Sequence, residues 1–105
     1  MANAASLYMH GTCIACGARA ALLRGPSGAG KSDLAFRLIR EDRSGETRLV
    51  ADDQVVLHIE EEGLLARAPA PLAGTLELRG LGLVAVPSLS EAPLALIVDL
   101  VPREE

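Results

Sequence analysis

The sequence predicts an α/β fold: a mixed β-sheet with one flanking helix and a phosphate-binding loop. Three observations support this prediction. Short runs of Leu, Val, Ile and Ala recur along most of the 105 residues, bounded by Gly, Pro and acidic residues, as is typical of strands. Residues 31–41 carry apolar side chains at helical spacing. The glycine-rich stretch GPSGAGKS, residues 25–32, lies between a predicted strand and that helix. The length suits one domain, residues 1–105.

Composition limits the classes of protein to consider. Half of the residues are hydrophobic, but there is only one Tyr and one Phe, so the core must be aliphatic. The formal net charge is -4 and no basic block is present, which argues against a nucleic-acid partner. No apolar run approaches the roughly 18 residues that span a membrane, and the N-terminus lacks a secretory signal. Two cysteines beside a phosphate loop suggest a reducing, cytoplasmic setting.

The first half of the chain predicts a hairpin followed by a helix. Residues 6–14 and 18–23 form two strands around a turn at residues 15–17, and the second strand leads into GPSGAGKS. The stretch KSDLAFRLIRE then forms a helix that ends at the polar turn DRSGE. Its buried face contains Leu34, Ala35, Leu38 and Ile39.

The second half of the chain predicts strands separated by loops. In RLVADDQVVLHI, one strand stops at two aspartates and VVLHI forms the next, after which EEEG turns the chain back. ARAPAPLAG, residues 66–74, is a Pro-rich loop. LELRGLGLVAV, residues 76–86, combines strand-forming residues with two glycines. LALIVDLV, residues 94–101, is almost continuously apolar, which predicts a strand buried on both faces.

GPSGAGKS fits the phosphate-loop pattern G-x-x-x-x-G-K-[ST]. Glycines let backbone N–H groups turn towards phosphate oxygens, and the following helix directs its positive end at the same anion. In this pattern the lysine reaches the β- and γ-phosphates and the serine hydroxyl binds Mg²⁺. The predicted nucleotide-binding residues are Gly25, Pro26, Ser27, Gly28, Ala29, Gly30, Lys31 and Ser32.

Two further groups of polar residues predict the rest of a site. Asp52 and Asp53 follow a predicted strand, where a phosphate-loop enzyme keeps a carboxylate for Mg²⁺ and a general base can stand beside it. Glu77 and Arg79 lie on one face of a predicted strand, so both can reach the edge of a site. We expect Asp52 and Arg79 to support the metal or the site around it.

Taken together, these residues resemble the HPr kinase/phosphorylase family in a short form that has only the C-terminal catalytic domain. Four stretches carry the resemblance: MHG at residues 9–11, GPSGAGKSDLAFRLI at 25–39, LVADDQV at 49–55 and LELRGLGLVAV at 76–86. The last is similar to the family's signature sequence, which is more specific than the phosphate loop. The resemblance extends over nearly the whole chain.

The resemblance implies a role for each matching residue. His10 and Lys31 would be active-site residues, and Asp53 would accept a proton in phosphorylation and donate it in dephosphorylation. Ser32 and Glu77 would bind Mg²⁺. The implied reaction is transfer of a phosphoryl group from ATP, or from pyrophosphate, to a serine of the carrier protein HPr in the phosphotransferase system, and its phosphorolytic reversal.

The resemblance also implies a hexameric assembly, and it is incomplete at the C-terminus. In the family, a further segment carries a catalytic arginine and the contacts to HPr, so we expect a catalytic domain that lacks this segment. Two other functions stay open: a nucleotide- or pyrophosphate-sensing module without turnover, and a phosphate-loop kinase of small molecules. Cys13 and Cys16 form C-x-x-C across a predicted hairpin turn, without the second pair of ligands that a zinc site needs.

Overall fold

The computed structural model describes residues 5–26, 28–69 and 74–101. Within these ranges the chain forms nine strands and one helix. That helix is too short and too polar to cross a membrane. In chain order the elements are β1 (Ser6–His10), β2 (Thr12–Cys16), β3 (Arg19–Arg24), α1 (Lys31–Glu41), β4 (Thr47–Ala51), β5 (Gln54–Glu60), β6 (Gly63–Arg67), β7 (Thr75–Leu78), β8 (Gly82–Ala85) and β9 (Glu91–Asp99).

Seven strands form one mixed sheet, in the order β1-β5-β6-β9-β3-β2-β4, and β7 pairs with β8 in a separate hairpin. All pairs in the large sheet are antiparallel except β3 with β9. The first residues of β9 pair with β6 and the remainder runs parallel to β3, so β9 joins the two halves of the sheet. The predicted mixed sheet with a flanking helix is confirmed.

The sheet folds over itself and thereby encloses an aliphatic core. Strand β2 contacts β5, and β4 contacts β6, although neither pair is adjacent in the sheet. The inner core, which lies between these two halves, consists of small and aliphatic side chains because the sequence offers almost no aromatic ones. Its buried members are Cys13, Ala15, Ala20, Leu22, Val50, Ala51, Val55, Leu57, Ala66 and Ala92.

Helix α1 covers the other face of β2, β3 and β4. The predicted apolar stripe is present, with Ala35 and Ile39 buried and Leu34 partly buried, although Leu38 is 42% exposed. The helix-side core also includes residues from the sheet and from β7. Its buried members are Ile14, Leu23, Ala35, Ile39, Leu49 and Leu76.

The turn after α1 is held by Asp42, the residue at which the helix ends. One carboxylate oxygen of Asp42 accepts hydrogen bonds from the backbone and hydroxyl of Ser44, and the other accepts from the backbone and hydroxyl of Thr47. These bonds favour the ionised carboxylate, and they hold the pKa of Asp42 well below its usual value. The predicted polar turn at residues 42–46 is therefore stabilised by its own side chains.

The predicted first strand, residues 6–14, is divided at Gly11 into β1 and β2. The two pieces pair with different neighbours, β1 with β5 and β2 with β3 and β4. At the division the backbone passes so close to β3 that a Cβ on Gly11 would lie 2.7 Å from the carbonyl oxygen of Leu23. The predicted hairpin with β3 is present, and its turn lies at Gly17 and Ala18.

Two segments of the chain differ from the sequence predictions. Strand β6 contains residues 63–67, of which 66 and 67 were expected in a Pro-rich loop. Residues 70–73 of that loop lie outside the described ranges. LELRGLGLVAV forms a hairpin, β7 and β8, because residues 79–81 make a turn with Gly80 and Gly82 at positive φ.

The prediction that residues 94–101 form a strand buried on both faces was wrong. Strand β9 is internal in the sheet order, yet Leu96 and Ile97 are 57% and 45% exposed. Strand β6 pairs only with residues 91–93 of β9, and no described residue pairs with the remaining length on that edge. The apolar run therefore forms a strand, but part of its length is exposed.

Candidate active site

The phosphate loop, residues 25–32, connects β3 to α1 as the motif predicts. Gly25, Gly28 and Gly30 have positive φ, a conformation that glycine adopts easily because it has no Cβ, and the loop is curved as a result. Gly30, with φ 94°, is the N-cap of α1 and supplies no side-chain cap. The first N–H groups of the helix therefore remain available to an anion. Ser27, one of the predicted binding residues, lies outside the described ranges.

Lys31 occupies the first turn of α1 with only 8% of its surface exposed. Its Nζ donates to the carbonyl oxygens of Gly25 at 2.6 Å and Pro26 at 3.1 Å. These two bonds offset the cost of taking the ammonium group out of water. The charge is thus held inside the curve of the loop, where the motif places phosphates.

Asp52 connects three parts of the site through its two carboxylate oxygens. Oδ1 accepts hydrogen bonds from the hydroxyls of Ser32 at 3.0 Å and Thr12 at 2.9 Å. Oδ2 accepts from the backbone N–H of Glu77 at 3.1 Å. The carboxylate expected near the metal therefore contacts the loop serine directly, and it links β2, the phosphate loop and β7.

A bulge in β4 determines where Asp52 points. Leu49 and Ala51 face consecutive residues of β2, so Val50 is an extra residue in β4. Leu49 packs in the helix-side core, whereas Val50 and Ala51 both pack in the inner core. In an unbroken strand Ala51 would have returned to the helix side and Asp52 would have faced inward. The bulge delays the alternation by one residue and turns Asp52 towards the phosphate loop.

Asp53 points away from Asp52 and towards β1. Its Oδ1 lies 3.5 Å from Nδ1 of His10, a distance at which a protonated imidazole forms an ion pair with the carboxylate. Among the described residues other than glycine, Asp53 alone has positive φ, 73°. The backbone carbonyl of Asp53 accepts a hydrogen bond from the N–H of Gly11 at 3.0 Å. The two neighbouring aspartates thus face different groups.

The β7–β8 hairpin brings Glu77 and Arg79 to the same site. Glu77 lies on β7, but the strand ends at Leu78, so Arg79 lies in the turn and not on the strand as expected. A Cβ built on Gly28 would be 4.0 Å from a guanidinium nitrogen of Arg79. Both side chains are exposed, and the arginine faces the phosphate loop.

These groups surround one cavity of about 350 Å³, a size within the range of small-ligand sites. The cavity brings together every predicted catalytic and metal-binding residue. It also includes Thr12 and Asp33, which sequence reasoning missed. The lining residues are His10, Thr12, Gly28, Gly30, Lys31, Ser32, Asp33, Asp52, Asp53, Glu77 and Arg79.

Other candidate groups lie elsewhere. Cys13 and Cys16 both belong to β2 and do not span a turn. Burial raises the pKa of the Cys13 thiol to about 12, so it stays protonated and unreactive. His58 accepts or donates one hydrogen bond with Ser6 on β1. In the part of the chain that the structure describes, no three His, Cys, Asp or Glu side chains could hold a metal by themselves.

Comparisons with known proteins relate this arrangement to a family. The family model of the HPr Serine kinase C-terminal domain matches residues 2–99. HPr kinase/phosphorylase from Clostridium tetani is 41% identical over 81 residues, which cover 77% of this chain and 25% of that protein. HPr kinase/phosphorylase from Levilactobacillus brevis is 36% identical over 100 residues, or 88% of this chain and 31% of that protein.

A solved structure leads to the same family. The HPr(Ser) kinase/phosphatase from Coxiella burnetii matches with a TM-score of 0.77 and 25% identity, covering 89% of this chain and 58% of that one. The chain thus spans between a quarter and a third of the two curated relatives. The family model matches nearly the whole chain, and the match includes every residue around the cavity. The protein therefore belongs to the HPr serine kinase C-terminal domain family.

Proposed function

We propose that this protein transfers a phosphoryl group from ATP, or from pyrophosphate, to a serine of an HPr-type carrier protein, and that it reverses this transfer with inorganic phosphate. The single observation that carries the proposal is the cavity in which the phosphate loop faces two differently held aspartates. Family membership supports the same reaction, since the curated relatives are named HPr kinase/phosphorylase.

The donor would be held at the phosphate loop. Backbone N–H groups at the start of α1 and the ammonium of Lys31 face the same space, and both favour a polyphosphate. On binding, Lys31 would exchange its contacts with the carbonyls of Gly25 and Pro26 for phosphate oxygens. Because the phosphate loop would contact phosphates and not a base, either ATP or pyrophosphate would fit.

The residues next to the loop fit Mg²⁺. This cation prefers oxygen ligands and is usually held by one or two carboxylates, phosphates and waters. The hydroxyl of Ser32 and the carboxylates of Asp52 and Glu77 supply such oxygens beside the phosphate loop. When bound, Mg²⁺ would neutralise charge that develops on the phosphoryl oxygens. Arg79 would add positive charge from the hairpin turn.

Asp53 would act on the acceptor. In the forward direction it takes the proton of the serine hydroxyl as the serine oxygen bonds to the γ-phosphorus, and the bond to ADP breaks. In reverse, an oxygen of inorganic phosphate attacks phosphoserine, pyrophosphate forms, and Asp53 returns the proton to the serine oxygen. His10, 3.5 Å away, would hold the carboxylate in place.

The acceptor and setting follow from the same proposal. HPr is the partner that the relatives' names indicate, and a cytoplasmic protein with a hexameric assembly is the setting we propose with it. A nucleotide-sensing module without turnover would use only the donor half of the cavity, so ATP binding alone does not distinguish the two functions.

Incubation of the chain with ATP, Mg²⁺ and purified HPr tests the proposal, with phosphoserine measured by mass spectrometry. We expect one phosphoserine per HPr, and none when the acceptor serine is replaced by alanine. Phosphate added after removal of ATP should regenerate HPr and release pyrophosphate. ATP binding in calorimetry without phosphoserine would contradict the proposal and favour the sensing module.

A further inference from the structure

Thr12 is a buried hydroxyl that the proposed reaction does not use. It is the first residue of β2 and has no exposed surface. Its Oγ1 donates to Oδ1 of Asp52 at 2.9 Å, the same oxygen that accepts from Ser32 at 3.0 Å. A valine of the same shape would fill the space equally well, so packing alone does not explain the hydroxyl.

The backbone of Thr12 is held in place by the sheet. Strand β2 lies between β3 and β4 in the sheet, with partners on both edges. Thr12 itself pairs with Leu23 of β3, close to the start of the phosphate loop. Asp52, by contrast, lies just beyond the end of β4, where no ladder fixes its backbone. The hydrogen bond therefore ties a less constrained carboxylate to a strand inside the sheet.

Two donors on one oxygen limit the rotation of the Asp52 carboxylate. Ser32 alone would hold it only while its own side chain keeps its present rotamer. If the Ser32 oxygen binds a cation, as the proposed function requires, the same hydroxyl must serve the metal through a lone pair and Asp52 through its hydrogen. The Thr12 hydroxyl has no other side-chain hydrogen-bond partner among the described residues, and it is not one of the proposed ligands of Mg²⁺ or nucleotide. Its backbone position is fixed by the sheet and not by the ligand.

We infer that Thr12 is a positioning residue that fixes the Asp52 carboxylate for Mg²⁺ beside Ser32. The inference rests on the proposed function, because it assumes that Mg²⁺ binds there with ATP. Residues that orient metal ligands typically contribute about tenfold or more to metal affinity. Loss of the Thr12 hydroxyl should therefore weaken Mg²⁺ binding and leave metal-free ATP binding unchanged.

Four variants of the whole chain test this: Thr12→Val removes the hydroxyl and keeps the shape, Thr12→Ser keeps the hydroxyl, Asp52→Ala removes its acceptor, and the fourth combines Thr12→Val with Asp52→Ala. The readouts are the Mg²⁺ concentration for half-maximal ATP binding in calorimetry, the ATP affinity in EDTA, and the melting temperature without ligands. Thr12→Val should raise the half-saturating Mg²⁺ about tenfold, whereas Thr12→Ser should stay within about twofold of the unmodified chain. In the Asp52→Ala background, Thr12→Val should have no further effect on Mg²⁺.

Three results would overturn the inference. Thr12→Val could bind Mg²⁺ as the unmodified chain does, both Thr12 variants could lose Mg²⁺ affinity equally, or ATP affinity in EDTA could fall by the same factor. If the valine variant does not fold, Thr12→Cys, a small side chain and weak donor, takes its place. Absence of Mg²⁺-dependent ATP binding in the unmodified chain would contradict the proposed function as well.

Discussion

Asp53 combines a proposed chemical role with an unusual backbone conformation. Its φ of 73° lies in the left-handed region, which costs most residues roughly 1–2 kcal/mol, although Asn and Asp tolerate it better. The N–H of Gly11 holds the Asp53 carbonyl at 3.0 Å and so helps to maintain this conformation. Strained residues of this kind concentrate at functional sites, which fits the direction of the carboxylate towards His10.

Substitutions at Asp53 should distinguish its role in phosphoryl transfer from the effect of its backbone conformation on stability. We expect Asp53→Asn to abolish phosphoserine formation and leave ATP affinity and the free energy of unfolding nearly unchanged. Asp53→Ala should also be inactive, but less stable than Asp53→Asn by about 1 kcal/mol because alanine avoids left-handed φ. Urea denaturation and calorimetry with ATP measure both effects. Equal loss of ATP binding and transfer in Asp53→Asn would contradict the proton-acceptor role.

At the scale of elements, Gly11 allows one continuous segment to serve two halves of the sheet. It separates β1 from β2, and its backbone lies against β3. A side chain there would meet the backbone carbonyl of Leu23 at 2.7 Å, and a backbone atom in a sheet cannot move aside easily. The glycine of the MHG stretch is therefore required by packing, beside whatever His10 contributes to chemistry.

Gly11→Ala should lower the free energy of unfolding by about 1–3 kcal/mol, the usual cost of overpacking. The matched control is Gly17→Asn in the β2–β3 turn, where a Cβ would meet nothing within 4 Å and φ is 65°. Asparagine tolerates that φ, so the control should be close to the unmodified chain. Urea unfolding followed by circular dichroism measures both. Similar stability of the two variants would contradict the close approach at Gly11.

The turn between α1 and β4 predicts a pH dependence. Hydrogen bonds from Ser44 and Thr47 lower the pKa of Asp42 in the folded chain below its unfolded value of 3.8. The folded state therefore binds fewer protons at this group, so the stabilisation is complete above pH 3.8 and is lost as the pH falls towards the folded pKa.

Asp42→Asn should accordingly melt at a lower temperature than the unmodified chain near neutral pH. The difference should shrink as the pH falls below about 4, because Asp42 then takes up a proton in the unfolded chain while it stays ionised in the folded one. Thermal melts at several pH values measure this. Glu61→Gln, in the exposed turn between β5 and β6, is the control for loss of one negative charge. A pH-independent difference for Asp42→Asn would contradict the proposed cause.

At the scale of the whole molecule, β9 leaves apolar surface exposed. Leu96 and Ile97 lie on a strand length whose edge facing away from β3 has no described partner. Exposed apolar strands with a free edge tend to pair with other chains. The net charge of -4 opposes such association only weakly.

We therefore expect the chain to self-associate as its concentration rises, and Leu96→Glu to reduce this association without lowering the melting temperature. Leu38→Glu on α1, where the leucine is 42% exposed, adds the same charge away from β9 and is the control. Sedimentation velocity over a range of concentrations measures the effect. An equal reduction in both variants would assign it to net charge and not to β9.

The parts of the fold that depend on local pattern could be predicted. The stripe of Ala35 and Ile39 sufficed for α1, and the motif GPSGAGKS for the loop between β3 and α1. The division at Gly11 could not be predicted, because it depends on β5 and β3, which are distant in sequence. Likewise, an apolar run such as 94–98 indicates a strand but not how much of it neighbouring elements cover.

The site shows the same division between local and long-range information. Lys31 and the paired aspartates stand in recognisable local motifs, and the structure brings them to one cavity. Thr12 was missed because its role depends on a contact across 40 residues with Asp52. The signal in the sequence was slight: a single hydroxyl residue between MHG and an apolar run.

The extra residue in β4 has a consequence for the two aspartates. Leu49 and Ala51 already face consecutive residues of β2, so deleting Val50 would restore regular pairing and leave each carboxylate facing its present partner. If β4 instead kept every residue and paired without the bulge, Asp52 would turn inward and Asp53 would take its place near Ser32. The task of each aspartate therefore depends on where β4 accommodates one odd residue, and not on the length of the chain.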